Sequence, residues 1–388
     1  MEQKTKKDIT LETFVAIALF GLIFYYMGSK MGVGNMFNTM MATAHDLLLN
    51  TVFFIMAIAV LAGAFSALLS EFGVVALINR IISPIMKPLY NLPGAAALGV
   101  VTTFLSDNPA IISLAKDEGF SKYFKDYQLP TLCNLGTSFG MGLIVWSFMG
   151  SQGNGTEYMG AATIGLLGAV IGSVVSVRIM MHFTKQYYNV KDEKQQKILD
   201  NSSLKVRTVR EGSVVERVLE AMLDGGKTGV QLGFDIIPGV IVICTFVMML
   251  TIEPNVVNGN VAYTGAAYEG IGLLPKIGGF LSPILTPLFG FNSPKAIAFP
   301  ITAVGSVGAA IGMVPKLLKS GDIGANEIAV FTSLGMCWSG YLSTHVGMMD
   351  ALGVRKLANK AILSHTIGGL VAGISSHYLF LLFQLIAK

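Results

Sequence analysis

Asp107 is a carboxylate set where an apolar stretch of chain breaks. It lies in Ser106-Asp107-Asn108-Pro109, in the middle of the hydrophobic segment 93–116. A charged side chain inside a membrane segment disfavours insertion by roughly 2.5–3.5 kcal/mol on translocon scales, so it marks a functional site by default. Helix ends around it add unpaired N–H and C=O groups. The chemistry on offer is the holding of a cation, a proton or a cationic group. A plainer role stays open, because Ser, Asp and Asn ahead of a first-turn proline are ordinary helix caps. One residue can do both. A second interrupted segment, 294–318, carries Gly305-Ser306-Val307-Gly308 in its middle.

Each interrupted segment is followed by a polar, Gly-rich stretch. The first reads Asn134-Leu135-Gly136-Thr137-Ser138-Phe139-Gly140; the second reads Thr332-Ser333-Leu334-Gly335-Met336-Cys337-Trp338-Ser339-Gly340. Glycine weakens helix, and Ser/Thr hydroxyls compete for backbone carbonyls. An unwound turn here would present carbonyl oxygens to a cation or polar solute. The alternative is a small-residue surface for helix packing. The five histidines read as packing residues, with proton relay by His345, His365 and His377 as the alternative. Cys133, Cys244 and Cys337 all lie in hydrophobic segments and form no CxxC pair. Nucleotide loops, zinc-spaced ligand pairs and hydrolase nucleophile motifs are absent from the sequence, so no enzyme is expected. Asn154-Gly155-Thr156 is a bare sequon without a secretory context.

These residues need elements to position them, and the composition says which. The chain is 53% hydrophobic and 13% charged, with 44 glycines, a balance suited to lipid rather than to a soluble domain. Apolar runs at roughly 11–28, 47–69, 127–149, 159–183, 229–252, 326–349 and 361–386 approach or exceed the ~20 residues of a spanning helix. The first run lacks a small-residue cleavage site and reads as a span, not a signal peptide. The net charge of +4 is no nucleic-acid footprint.

The chain also repeats itself. Ser83-Pro84-Ile85-Met86-Lys87-Pro88-Leu89-Tyr90 recurs as Ser282-Pro283-Ile284-Leu285-Thr286-Pro287-Leu288-Phe289; Ser106, Ala110 and Ile111 recur as Ser306, Ala310 and Ile311; Gly168 and Gly172 recur as Gly369 and Gly373. The arms of 93–116 and 294–318 are about 8–12 residues long, too short to cross ~30 Å at ~1.5 Å per residue. If both segments are re-entrant hairpins, the positive-inside rule is satisfied: connection 184–228, with nine Lys and Arg, is cytoplasmic, while 150–158 and 253–267, with none, are outside. Lys276, Lys295, Lys316 and Lys319 then fall on the outer side. Three crossings plus a hairpin per copy turn the second copy upside down. Inverted repeats with discontinuous helices are an alternating-access design.

The expectation is an all-α polytopic membrane protein with about seven transmembrane helices and two re-entrant hairpins in inverted-topology repeats. Residues 1–45 supply an extra helix and an outer loop; 46–183 form the first repeat; 184–228 form a cytoplasmic linker with an amphipathic stretch at 214–223; 229–388 form the second repeat. The segments around 71–90 and 268–289 suit interfacial helices.

The order of span, interfacial helix, hairpin, span, span, given twice and inverted, resembles the transport core of concentrative nucleoside transporters. The text Ser282-Pro283-Ile284-x-x-Pro287-Leu288-Phe289 and then Ser293-Pro294 resembles the nucleoside-recognition, or gate, domain. That domain also occurs in spore-maturation membrane proteins and ferrous-iron transporter B. The resemblance implies a site built from Ser106, Asp107 and Asn108 at the first tip, Gly305 and Ser306 at the second, and Asn134, Thr137, Ser138, Ser333 and Ser339 in the following helices. The first tip departs from the family's Gln-Thr-Glu type, and the second lacks its acidic and amide groups. The leading expectation is an ion-coupled secondary transporter of a small polar solute, nucleoside-like or other, with Na+ or H+ as coupling ion and no cofactor. The chain would sit multi-pass in the cell (inner) membrane, N-terminus cytoplasmic, in contact with lipid, its solute and, as a homo-oligomer, further copies of itself. The alternatives are a divalent metal-ion permease using Cys133 and Cys337, and a non-transport assembly or lipid-carrier protein.

Overall fold

The computed structural model describes residues 8–116, 118–153, 157–190, 209–257 and 260–386. The sequon at 154–156 and most of the linker lie outside them. The apolar runs form helices. α1 (Leu11–Met31) turns at Gly32 into α2 (Val33–Asp46), which continues through a π-helical turn, Leu47–Val52, into α3 (Phe53–Glu71). The stretch expected as an outer loop is therefore mostly helix. Met, Thr and Ala carry it once the left-handed Gly32 has made the turn. α4 (Val74–Tyr90) follows, then α5 (Ala96–Leu105), α6 (Pro109–Lys116), the single turn α7 (Glu118–Ser121), α8 (Thr131–Thr137), α9 (Gly142–Gly150) and α10 (Glu157–Tyr187). The second half runs α11 (Val214–Pro238), a π-helical turn at Gly239–Cys244, and α12 (Thr245–Thr251). After a small hairpin, β1 (Asn255–Val257) and β2 (Asn260–Ala262), come α13 (Leu273–Phe289), α14 (Ala298–Gly305), α15 (Val307–Lys319), α16 (Ala325–Cys337), α17 (Tyr341–Ala351) and α18 (Ala358–Ile386).

The internal repeat is visible in the backbone as well as in the text. α4 and α13 are both 17 residues long and carry prolines at matching places, Pro84 and Pro88 in α4 and Pro283 and Pro287 in α13. Left-handed residues recur at a spacing of 199: Gly73 and Gly272 before these helices, Asn91 and Gly290 after them, and Met141 and Gly340 at the starts of α9 and α17. α5–α6 and α14–α15 are helical hairpins turning at 106–108 and at Ser306. Their arms are 8 to 13 residues long, about 12–20 Å of helix, and cannot cross the bilayer core. Among the described residues, six helices are long and apolar enough to cross: Leu11–Met31, Val33–Glu71, Thr131–Gly150, Tyr158–Tyr187, Val214–Thr251 and Arg355–Ile386. The seventh expected span corresponds to α16–α17, the copy of α8–α9, and is broken in the middle.

Helices in equivalent places of the two copies pack against each other in opposite directions. On α3 and α11, Gly63 meets Gly225, Gly229 meets Ala59 and Val60, and Gly233 meets Met56. On α10 and α18, Gly172 meets Gly368, and Gly168 meets Ala372 and Ser376. As numbers rise on one helix they fall on its partner, so each pair is antiparallel. Copies related by an axis along the membrane normal would place equivalent helices parallel; an inverted copy makes them antiparallel. Glycine allows this closeness, since a Cβ on Gly63 would lie 2.3 Å from the Gly225 oxygen. Small residues at such contacts are the usual means of helix association in lipid.

The amphipathic stretch at 214–223 is not a separate surface helix. It is the opening of α11, capped by Ser213, whose hydroxyl accepts the Glu216 N–H. Ion pairs tie it to α3: Glu71 accepts from Arg217 Nε at 2.7 Å and from Arg210 at 2.9 Å. At the other end, two of the lysines that sit on the outer side in the charge count have partners. Lys295 pairs with Asp322 at 3.2 Å and Glu253 at 3.4 Å. Lys316 lies over the Tyr268 ring, and the Tyr268 hydroxyl donates to Asp46 at 2.6 Å.

Candidate functional site between the hairpin tips

The first hairpin closes because Gly99 on α5 leaves room for Ile111 on α6, and Ile111 in turn packs on Gly136 of α8. At its tip the Ser106 N–H and hydroxyl both return to the Thr102 carbonyl, at 3.0 and 2.7 Å. Asp107 Oδ1 accepts the N–H of its neighbour Asn108 at 2.7 Å, not the N–H two or three residues on that a helix cap would take. Asn108 is 3% exposed. Its Nδ2 donates to the Ser339 carbonyl at 2.9 Å, and its Oδ1 has no partner. That oxygen faces Gly140, where a Cβ would sit 1.9 Å from it.

The second tip repeats the first with one change. The Ser306 N–H returns to the Thr302 carbonyl at 2.9 Å, as Ser106 does to Thr102, but the Ser306 hydroxyl turns forward and accepts the Ala309 N–H as the cap of α15. The helices after the hairpins are both unwound, at 138–141 between α8 and α9 and at 338–340 between α16 and α17. The breaks are cross-linked: the Cys337 thiol donates to the Ser138 carbonyl at 3.7 Å.

Both tips and both breaks meet at one cavity of about 190 Å³, lined by Asp107, Met141, Gly305, Ser306, Val307, Gly308, Ser339, Gly340 and Thr344, with Leu232, Asp235 and Ile236 from α11. Of the residues expected from sequence, Asp107, Gly305, Ser306 and Ser339 line it, and Asn108 is bound to its wall. Ser106 stands beside Asp107 with its hydroxyl turned back onto α5. The other four are not in the lining. Thr137, Ser138 and Ser333 bond to carbonyls of their own helices at 2.8 Å. Asn134 donates to Ser176 at 3.0 Å and to the Ala361 carbonyl at 3.1 Å. Ser176 meets His365 Nδ1 at 3.0 Å, and His365 Nε2 contacts the Cys337 carbonyl at the break. Asn134 thus belongs to a buried network that braces the end of α16.

Sequence reasoning missed Asp235, Met141 and Thr344. For Asp235 the signal was available: it is the lone charged residue in the apolar run 229–252, the same argument that singles out Asp107. A larger cavity of about 700 Å³ lies at the far end of α18. Its acids already have partners, Asp322 with Lys295 and Glu327 with the N–H groups of Gly324 and Asn292. Among the described residues, no three His, Cys, Asp or Glu side chains gather as metal ligands, and the three cysteines are buried and unbridged.

No family model and no curated protein sequence matches this chain. Among solved structures, the chain is similar to CNTnw in an inward-facing substrate-bound state, with 13% identity, 95% of this chain and 86% of that chain covered, and a TM-score of 0.48. It is also similar to a variant of CNTnw in the intermediate 2 state, with 14% identity, 96% and 93% covered, and a TM-score of 0.47.

Proposed function

We propose that this chain is an ion-coupled secondary transporter that moves a small polar solute by alternating access. The solute is held between the two hairpin tips, with Asp107 as the main charged member of the site. The observation that carries this reading is the meeting of two hairpin tips and two helix breaks, from oppositely directed halves, at one cavity. Irregular backbone at membrane depth is tolerated where protein or a water-filled cavity satisfies it, and transporters place substrate and ion sites at such discontinuities. Ser306, Ser339 and Thr344 supply hydroxyl or carbonyl oxygens for a polar solute. The unpartnered Oδ1 of Asn108 supports ion coupling. A buried acceptor left without a donor costs about 1–3 kcal/mol, and Na+ or a protonated group arriving at the tip would remove that cost.

On this reading residues 1–45 are an accessory segment, 46–183 and 229–388 are the inverted halves, and 184–228 is a cytoplasmic linker. The chain sits in the cell (inner) membrane with its N-terminus cytoplasmic. The metal-permease alternative gains nothing from the site, because Cys133 and Cys337 lie outside the cavity lining.

The test is Asp107→Asn in purified protein reconstituted into liposomes. Ion-coupled uptake, or ion-dependent thermal stabilisation, is lost, while expression and the melting temperature without ligand stay near the parent's. Normal transport with unchanged ion dependence overturns the assignment.

A further inference from the structure

We infer that the coupling ion is a proton and that His345 binds it at Nε2, in a buried pair with His365 beside the helix break at 338–340. The inference rests on the inter-tip reading and deepens it by naming the ion and its site. Both histidines are fully buried, with ring centroids 4.7 Å apart. Their partners fix their tautomers, because a carbonyl oxygen can only accept. His345 Nδ1 meets the Tyr341 carbonyl at 3.0 Å, so Nδ1 carries the hydrogen and Nε2 is a bare lone pair. His365 Nε2 contacts the Cys337 carbonyl, so Nε2 carries the hydrogen there, and Nδ1 accepts from the Ser176 hydroxyl at 3.0 Å. His365 is thereby satisfied at both nitrogens. His345 Nε2 has no partner and is the one basic position that the pair leaves open.

Packing does not call for these rings, since the first copy builds the same break without them. At the spacing of 199 that joins Met141 to Gly340, Tyr341 matches Gly142 and His345 matches Trp146. At the spacing of 201 that joins Gly168 to Gly369, His365 matches Ile164. In the second copy Trp338, Tyr341, His345 and His365 form a chain of ring contacts beside the break, with centroids 4.7–6.2 Å apart. Trp338 Nε1, at the other end of that chain, also lacks a partner. A buried donor or acceptor left unmet costs free energy, so two such atoms at one break leave this arrangement open to replacement by another.

The surroundings say how a proton acts here. The elements packed against α17 are α6, α8, α14, α18 and the turn Arg355–Leu357. Their other titratable groups are engaged elsewhere or face away. Lys360 lies over Phe183, Arg355 pairs with Asp350, His377 bonds Asn326 and Tyr378 bonds the Pro287 carbonyl. Lys116 and Lys356 are exposed, and Cys133 is buried among apolar side chains. The Cys337 thiol points to Ser138, and α14 has no titratable group. Among the described residues no carboxylate bonds to His345. When Nε2 takes a proton from water, the resulting imidazolium has only His365 and Tyr341 beside it. A buried charge without a partner is costly, so protonation disfavours this arrangement and favours one that opens the ring to water or a carboxylate. An ion bound unequally by two states shifts their populations, and the proton returns to water from the second state. The lever is short: His365 holds the Cys337 carbonyl, and two residues on, the Ser339 carbonyl holds Asn108 of the first tip.

The experiment has two readouts on the full chain in detergent. The first is NMR of the imidazole nitrogens in histidine-labelled protein. The signal lost in His345→Asn, a variant that keeps a donor for the Tyr341 carbonyl, belongs to a neutral Nδ1–H ring at about pH 8 and to an imidazolium by about pH 5. The second is the reaction of Thr344→Cys, in the cavity lining, with a water-soluble thiol reagent. Each rate is divided by that of the exposed Gly153→Cys, which removes the thiol's own pH dependence. The ratio changes about fivefold or more between those pH values, the lower end of usual couplings, and the change is lost in His345→Asn and in His345→Gln. A ratio that ignores pH in the parent overturns the inference without any variant, as does a ring that stays neutral wherever the protein is folded. A ratio that follows sodium and not pH, or a pH response kept in both variants, overturns it and leaves the inter-tip site standing. Failure of the inter-tip site itself is read separately, from unchanged ion dependence in Asp107→Asn.

Discussion

At the scale of single residues, a tip side chain matters through what it is held against. Asn108 is held between the Ser339 carbonyl and Gly140, a position that no other residue type at 140 allows. Adding one methyl there places carbon 1.9 Å from Asn108 Oδ1. Gly140→Ala is therefore expected to push Asn108 off Ser339 and lower stability by about 1–3 kcal/mol, the range for overpacking, with loss of ion-dependent stabilisation. Gly160 on α10 has nothing within 4 Å of its would-be Cβ. Gly160→Ala, in the same thermal-unfolding assay, is expected to be neutral or to stabilise by up to ~1 kcal/mol. Equal effects of the two would show that Gly140 is an ordinary glycine and that the tip is not tightly held. Asp107 was legible as a carboxylate at a break in an apolar segment. The inward turn of Asn134 and Ser333 was not, because a helix sequence does not state which side its neighbours occupy.

At the scale of elements, glycine does its work between helices. Gly225 on α11 touches the Gly63 backbone, where a Cβ would lie 2.2 Å from the Gly63 oxygen. The next residue, Gly226, would place its Cβ at an ordinary 3.6 Å from Val60. Gly225→Ala is expected to lower the melting temperature in detergent by forcing α3 and α11 apart, at about 1–3 kcal/mol. Gly226→Ala is expected to be harmless or to stabilise by about 0.5–1 kcal/mol through helix propensity. The reverse order of the two would mean that α3 and α11 do not cross at these residues. The sequence displays both glycines side by side and identical in type. The distinction belongs to a rotation of about 100° around the helix axis.

At the scale of the whole molecule, the inverted arrangement joins charge and topology. Antiparallel packing of α3 with α11 and of α10 with α18 puts the two hairpins in from opposite sides, with the tips meeting at the cavity. By the positive-inside rule, the orientation proposed for that frame puts the basic linker on the cytoplasmic side. Single cysteines at Gly153 and at linker position Ser202 are expected to react with an impermeant thiol reagent from opposite faces of the membrane, Gly153→Cys from outside and Ser202→Cys from inside. Both reporters should be placed in a background where the native cysteines, all buried, do not react. Labelling of the two from the same face contradicts the orientation.

What sequence determined by itself was local or duplicated information. Length and apolarity marked the spans, because the bilayer thickness sets a minimum run. Proline, glycine and short polar insertions marked the hairpin turns at 106–108 and 305–308 and the polar stretches 134–140 and 332–340 that contain the breaks, because they interrupt hydrogen bonding wherever they stand. The register of 199 to 201 residues marked the two copies, and with the charge rule it marked their inversion. Only the tertiary structure decided which polar groups share a cavity. Asp107 and Asp235 come from different halves of the chain and meet because Gly63 lets α11 seat on α3, while Ile236 of α11 packs on Gly308 beside the second tip. Asn134 and Asp107 are both polar residues in apolar stretches. One is turned into the α10–α18 core and the other into the cavity by packing partners far away in sequence, and no pattern of spacing within either segment carries that choice.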